Sequence, residues 1–65
     1  MITVNGKEID WIEGEKIGQA LERADAYHPF MVVSLRGECL RKQEWGVVEV
    51  NDGDEIRTVE VIAGG

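Results

Sequence analysis

Apolar and polar residues alternate from Met1 to Asn5, with Ile2 and Val4 on one side, and the alternation resumes from Glu8 to Ile12 with Ile9 and Trp11. Asn5-Gly6 separates the two runs and suits the positive φ angles of a two-residue turn, so the chain is predicted to open with a β-hairpin. After Glu13-Gly14-Glu15 the period changes. Ile17, Ala20, Leu21 and Ala24 recur at helical spacing while Gln19, Glu22, Arg23 and Asp25 fall on the other side, which predicts an amphipathic helix from Lys16 to Ala26. Glu15 complements the positive end of the helix dipole. Gly18 weakens the helix by about 1 kcal/mol relative to alanine, and Pro29 prevents its continuation.

Met31 to Arg36 reads as a strand with Met31, Val33 and Leu35 on one face and Val32, Ser34 and Arg36 on the other. Gly37-Glu38 is expected to turn the chain into a short partner at Cys39 and Leu40. Arg41 to Glu44 is charged and leads to Trp45, whose indole can cover one end of a small core, so an irregular turn anchored by Trp45 is expected. Val47 to Val50 suggests a partial strand, and Asn51-Asp52-Gly53-Asp54 is dense turn chemistry. In the final strand, from Glu55, Ile56 aligns with Thr58 and Glu60, whereas Val59 and Val61 align with Arg57. Both faces therefore carry apolar residues, as in an interior strand with a helix on one side and a partly apolar open face on the other. A helix linking the first hairpin to the third strand favours a right-handed crossover. The order of elements predicts an α+β roll, a mixed sheet of four to five strands with one helix packed across one face. Residues 1–61 form its single domain, and a short tail, residues 62–65, is expected to be flexible.

Composition narrows the function. A chain of 65 residues makes one small domain whose core only just offsets the entropy of ordering it, and a deep enzymatic pocket is not expected. Thirteen acidic against seven basic side chains leave a formal charge of −6, which argues against a nucleic-acid binder because phosphate contacts need clustered Lys and Arg. The same charge favours a partner with a basic docking face, or serves only to keep a small protein in solution. Cys39 is the only cysteine, and no charged segment followed by a long apolar stretch opens the chain, which points to a reducing, cytoplasmic setting without a membrane span.

The candidate chemistry sits at the C-terminal residues. Beyond Val61, Ile62 and Ala63 lead into Gly64-Gly65. A carboxylate on Gly65 is inert until activated, and residues without side chains can enter a narrow tunnel where an activating enzyme reaches it. The competing reading is a frayed end where glycine is merely tolerated. Cys39 on a strand is expected to be a small buried hydrophobe rather than a redox or sulfur-relay group. His28 has no second ligand at metal spacing and reads as a loop residue beside Pro29, so no metal site is expected. Asp52 and Asp54 flank Gly53 as turn chemistry rather than an acid–base pair or a calcium loop. Trp11 and Trp45 read as core or edge cover rather than base-stacking platforms. Val59 and Val61, with Val32 beside them, are the candidate docking surface; the alternative is that these valines pack inside.

Asn5-Gly6, Gly14 before the helix, Leu21-Glu22 within it, Gly37-Glu38, Trp45, Asn51-Asp52-Gly53-Asp54-Glu55-Ile56 and Val61-Ile62-Ala63-Gly64-Gly65 together carry a family resemblance over essentially the whole chain. The chain resembles the ubiquitin-like β-grasp sulfur carriers, and within them the ThiS type that serves thiamine biosynthesis. It departs from the pattern at Lys16, where a helix-capping Thr is usual, and at Arg41, where Pro is common; the lost cap costs about 1 kcal/mol. The resemblance implies a carrier rather than an enzyme. Its Gly65 carboxylate is adenylated by an ATP-dependent, ThiF-like enzyme and converted to a thiocarboxylate with sulfur from a desulfurase system. The sulfur then passes to a ThiG-like thiazole synthase, and Ile62, Ala63 and Gly64 enter the partner's channel. Adenylation supplies a leaving group, so a sulfur nucleophile can attack the Gly65 carbonyl. The chain binds no cofactor itself: it has no Gly-x-x-x-x-Gly-Lys loop, and ATP and magnesium belong to the partner. Two alternatives stay open, a carrier for molybdopterin or cysteine synthesis and a ubiquitin-like modifier of target lysines.

Overall fold

The computed structural model describes residues 1–61. Strands β1 (Ile2–Val4) and β2 (Lys7–Ile9), helix α1 (Ile17–Arg23), strands β3 (Met31–Leu35) and β4 (Glu38–Leu40), a 3₁₀ turn (Lys42–Glu44) and strand β5 (Glu55–Glu60) follow in that order. The five strands form one sheet in the order β2-β1-β5-β3-β4. β5 runs parallel to β1, with Val4 opposite Ile56, and antiparallel to β3, with Leu35 opposite Ile56. The expected α+β architecture, a mixed sheet with one helix across one face, is the observed one.

Both hairpins close through the same local geometry. Asn5 and Gly6 take φ of 53° and 85°, and Arg36 and Gly37 take 51° and 83°, so each is a two-residue turn with both central residues left-handed. The second turn is thus Arg36-Gly37 rather than Gly37-Glu38. A non-glycine residue in that region is strained, and Arg36 is held there from two sides. Its N–H donates to the Glu55 carbonyl at 3.2 Å, and its side chain pairs with Asp54 at 3.3 Å. The other Asp54 oxygen accepts the Asn51 N–H at 2.7 Å, so this buried carboxylate uses both oxygens to tie the second hairpin to the loop that launches β5. Asp52 and Asp54 are turn chemistry, as expected.

The helix is shorter than its apolar periodicity suggests. It ends at Arg23 because Asp25 turns left-handed at φ 58°; the Ala26 N–H then reaches back to the Leu21 carbonyl (2.8 Å) and the Asp25 N–H to the Glu22 carbonyl (3.1 Å). This pair of reversed bonds is the Schellman arrangement, with Asp where Gly is usual, and it stops the helix several residues before Pro29. At the other end Lys16 makes no side-chain cap. Its N–H donates to Gln19 Oε1 at 3.0 Å, while the N–H groups of Ile17 and Gly18 donate to the Val48 and Trp45 carbonyls at 3.0 and 2.9 Å. Main-chain carbonyls of a distant loop thus satisfy first-turn donors that have no acceptor within the helix, including Gly18, one of those a capping Thr side chain can serve. That use of Val48 explains why Val47 to Val50 forms no strand: only Glu49 pairs, as an isolated bridge with Lys16.

Ile2, Val4, Met31, Val33, Leu35 and Ile56 from the sheet meet Ile17, Ala20, Leu21 and Ala24 from the helix in one core, closed at its end by buried Trp45 and Val50. The Trp45 ring meets Tyr27 edge to face, 6.1 Å between centroids, and its Nε1–H has no hydrogen-bond partner among the described residues. Trp11 lies beyond β2 rather than in it; its indole N–H donates to the Val50 carbonyl at 2.9 Å and pins the following loop. Both tryptophans are structural cover.

Beneath that loop Glu15 is buried, with both carboxylate oxygens 2.7 Å from the Arg23 guanidinium, which also donates to the Asp10 carbonyl. Hydrogen bonding to Glu15 raises the Arg23 pKa above its already high ordinary value against partial burial, with the charges of Glu15 and Asp10 adding to the rise. Replacing Arg23 with Met leaves the Glu15 carboxylate buried without its partner and is expected to lower stability by about 1–3 kcal/mol in urea unfolding. Arg23→Lys recovers only part of the loss, since a single ammonium cannot reproduce the fork; full recovery would show that charge alone suffices.

Candidate functional site: the open sheet face beside the tail

The unsettled phase of the last strand is resolved by the helix, which covers one face of β5. Ile56 is fully buried on that face, while Val59 and Val61 stand on the other, 65% and 51% exposed. Val32 lies directly opposite Val59 in the β3–β5 register, and the Val61 N–H donates to the Phe30 carbonyl at 2.9 Å, so the two strands bring Phe30, Val32, Val59 and Val61 together. Phe30, at 68% exposure, is the largest exposed apolar side chain of the four. This patch lies at the end of β5 from which Ile62, Ala63, Gly64 and Gly65 continue; those four residues lie outside the described ones.

Phe30 is the residue that sequence reasoning missed. It precedes the strand and follows Pro29, which marks it as a loop residue, yet it is two positions from Val32 and so has the same parity. The rest of the open face becomes polar away from the tail. Ser34 sits opposite both Arg57 and Cys39, Arg57 pairs with Glu55 at 3.4 Å, and Thr3 sits opposite Glu55 and Glu8. Apolar surface beside the tail and charged surface at the far end give the face a direction.

Cys39 corrects an expectation. It is exposed rather than buried, because β4 is a three-residue edge strand and Cys39 shares the open face with its cross-strand partner Ser34. His28 sits in the loop before β3, where Nδ1 accepts the Phe30 N–H at 3.0 Å. Among the described residues no group of three or more His, Cys, Asp or Glu could hold a metal ion, and no helix is long and apolar enough to cross a membrane. A groove of about 530 Å³ between α1 and the loop around Trp45 lies on the helix side, away from the patch. It gathers Lys16, Gln19, Tyr27 and Lys42, but Lys16 already pairs with Glu49 at 3.1 Å, and the first helical N–H groups are taken by loop carbonyls.

Two outcomes follow from these positions. Cys39 should react with a thiol reagent in the folded protein as fast as after unfolding, and protection until denaturant is added would place it inside. Val59→Asp should leave unfolding stability within about 0.5 kcal/mol, the range of an exposed site; a large loss would mean that Val59 packs.

Comparison with known proteins bears on what this face and tail serve. The solved structure of a thiamine biosynthesis protein (ThiS) from Geobacter metallireducens matches with a TM-score of 0.73 at 26% identity, covering 98% of this chain and 97% of that one. A search of the curated proteins finds no significant match. The ThiS family model matches residues 2–65, essentially the whole sheet, helix and tail, and the chain therefore belongs to the ThiS family of ubiquitin-like β-grasp sulfur carriers.

Proposed function

We propose that this protein is the sulfur carrier of thiazole formation in thiamine biosynthesis, with Gly65 as the atom-carrying residue. The observation that supports this most directly is the family match, which extends through the diglycine to residue 65. In this reading the Gly65 carboxylate attacks the α-phosphorus of ATP in a ThiF-like adenylating enzyme, pyrophosphate leaves, and an acyl-adenylate forms. A persulfide from a desulfurase system then adds through its outer sulfur to the acyl carbon and expels AMP, and a thiol reductant cleaves the S–S bond of the resulting acyl disulfide, leaving the thiocarboxylate on Gly65. That thiocarboxylate gives its sulfur to a ThiG-like thiazole synthase.

The carrier is a substrate in this cycle and supplies no catalytic group. ATP and magnesium are bound by the activating enzyme, in keeping with a cytoplasmic reaction. What the domain contributes is placement. The partner's channel takes Ile62, Ala63 and Gly64, and the patch of Val59, Val61, Val32 and Phe30 rests on the enzyme around the channel mouth. Burying these four side chains supplies hydrophobic contact next to the reacting end, while the net charge of −6 favours a basic partner surface.

Removing Gly65 should abolish the exchange of terminal oxygen for sulfur in intact-mass spectra after incubation with the adenylating enzyme, ATP and a sulfur donor, with the unfolding curve unchanged. A normal sulfur load on the shortened chain would refute the assignment. Covalent adducts with other proteins, in place of a sulfur-loaded terminus, would show a modifier. On the same assay Val59→Asp should reduce the rate of adenylation at limiting enzyme, and an unchanged rate would remove the open face from the interface.

A further inference from the structure

β5 is paired along its full length on one side only. The Val61 N–H donates to the Phe30 carbonyl and the Arg36 N–H to the Glu55 carbonyl, which fixes residues 55, 57, 59 and 61 as those whose main-chain groups point at β3. Residues 56, 58 and 60 therefore point the other way, toward β1. At Ile56 the carbonyl accepts the Asn5 N–H at 2.9 Å. At Thr58 the side chain of Asn5 stands in for a strand: its Oδ1 accepts the Thr58 N–H and its Nδ2 donates to Thr58 Oγ1, both at 2.8 Å. There β1 has already turned at Asn5-Gly6. Among the described residues nothing bonds the Thr58 carbonyl or the N–H and carbonyl of Glu60 from that side.

A short sheet edge thus lies in the interior of the strand order, beside the patch of Phe30, Val32, Val59 and Val61 and just before the tail. We infer that this edge accepts one extended segment of the enzyme that activates Gly65, which adds to the sheet alongside Thr58–Glu60. An unpaired edge presents alternating donors and acceptors that an extended backbone segment matches, and alternate side chains of such a segment project onto the patch. Continuity with the tail assigns the segment to the activating enzyme, since whatever engages Gly65 must lie against this end of β5. A second copy of the chain is the poorer occupant, because each copy carries −6. The inference rests on the carrier reading above and adds main-chain pairing to it.

Amide exchange at Glu60, followed by NMR on the labelled chain alone and with a ThiF-like adenylating enzyme, tests the pairing. The Glu60 N–H should exchange freely in the isolated protein and become protected in the complex. A synthetic chain with a backbone ester at Glu60, which deletes that N–H and keeps every side chain, should fold and bind roughly tenfold more weakly, the usual effect of one lost hydrogen bond. No protection at Glu60 in a complex that Val59→Asp disrupts would mean docking by side chains alone and would overturn the inference. Protection that grows with concentration in the isolated chain would assign the edge to a second copy and overturn it too. If Val59→Asp, removal of Gly65 and the ester all leave binding unchanged, or the enzyme does not bind the unmodified chain, the carrier reading itself fails.

Discussion

Ile56 sits where the two halves of the sheet meet, with Val4 across from it on the parallel side and Leu35 on the antiparallel side. No solvent reaches it, and the helical residues Ile17, Ala20 and Leu21 share its core. Each hairpin alone is a pair of three- to five-residue strands, too small to hold its shape in water. β5 joins them, and the helix then has a continuous apolar surface to cover. Every later feature, including the direction in which the tail leaves, depends on this strand lying between β1 and β3.

Two buried carboxylates brace the elements around that strand. Asp54 links the β3–β4 turn to the start of β5, and Glu15 links the helix entry to its last turn through Arg23. Each uses both oxygens, which is what makes burial of charge tolerable in a small domain. The loop after the 3₁₀ turn does similar work with main-chain groups: the Trp45 and Val48 carbonyls cap the helix, and the Val50 N–H donates to the Glu15 carbonyl. Helix and loop are consequently stable only together.

Much of this order was legible because local signals agreed with the fold. Asn5-Gly6 marked a turn that the backbone adopts, and the alternation of Met31, Val33 and Leu35 marked the face of β3 that packs on the helix. The failures have physical causes. Val47-Val48-Glu49-Val50 has strand composition, but its main-chain groups are spent on the helix start. The helix stop was misplaced because aspartate rarely takes the left-handed position that Asp25 occupies. The phase of β5 could not be read at all, since the burial of Ile56 and the exposure of Val59 follow from where the helix lies. Cys39 misled for a related reason: hydrophobicity alone does not say which face of an edge strand meets water.

The long reach of the β1–β5 pairing also shapes how the protein is born. Thr3 finds its partner at Glu55, more than fifty positions later, so the ribosome makes the keystone of the sheet after every other strand. Until Ile56 is available, neither hairpin has the strand that joins it to the other, and the apolar side of α1 has no continuous surface to cover. Joining the halves sets the entropy of closing one large loop against the core that closure completes.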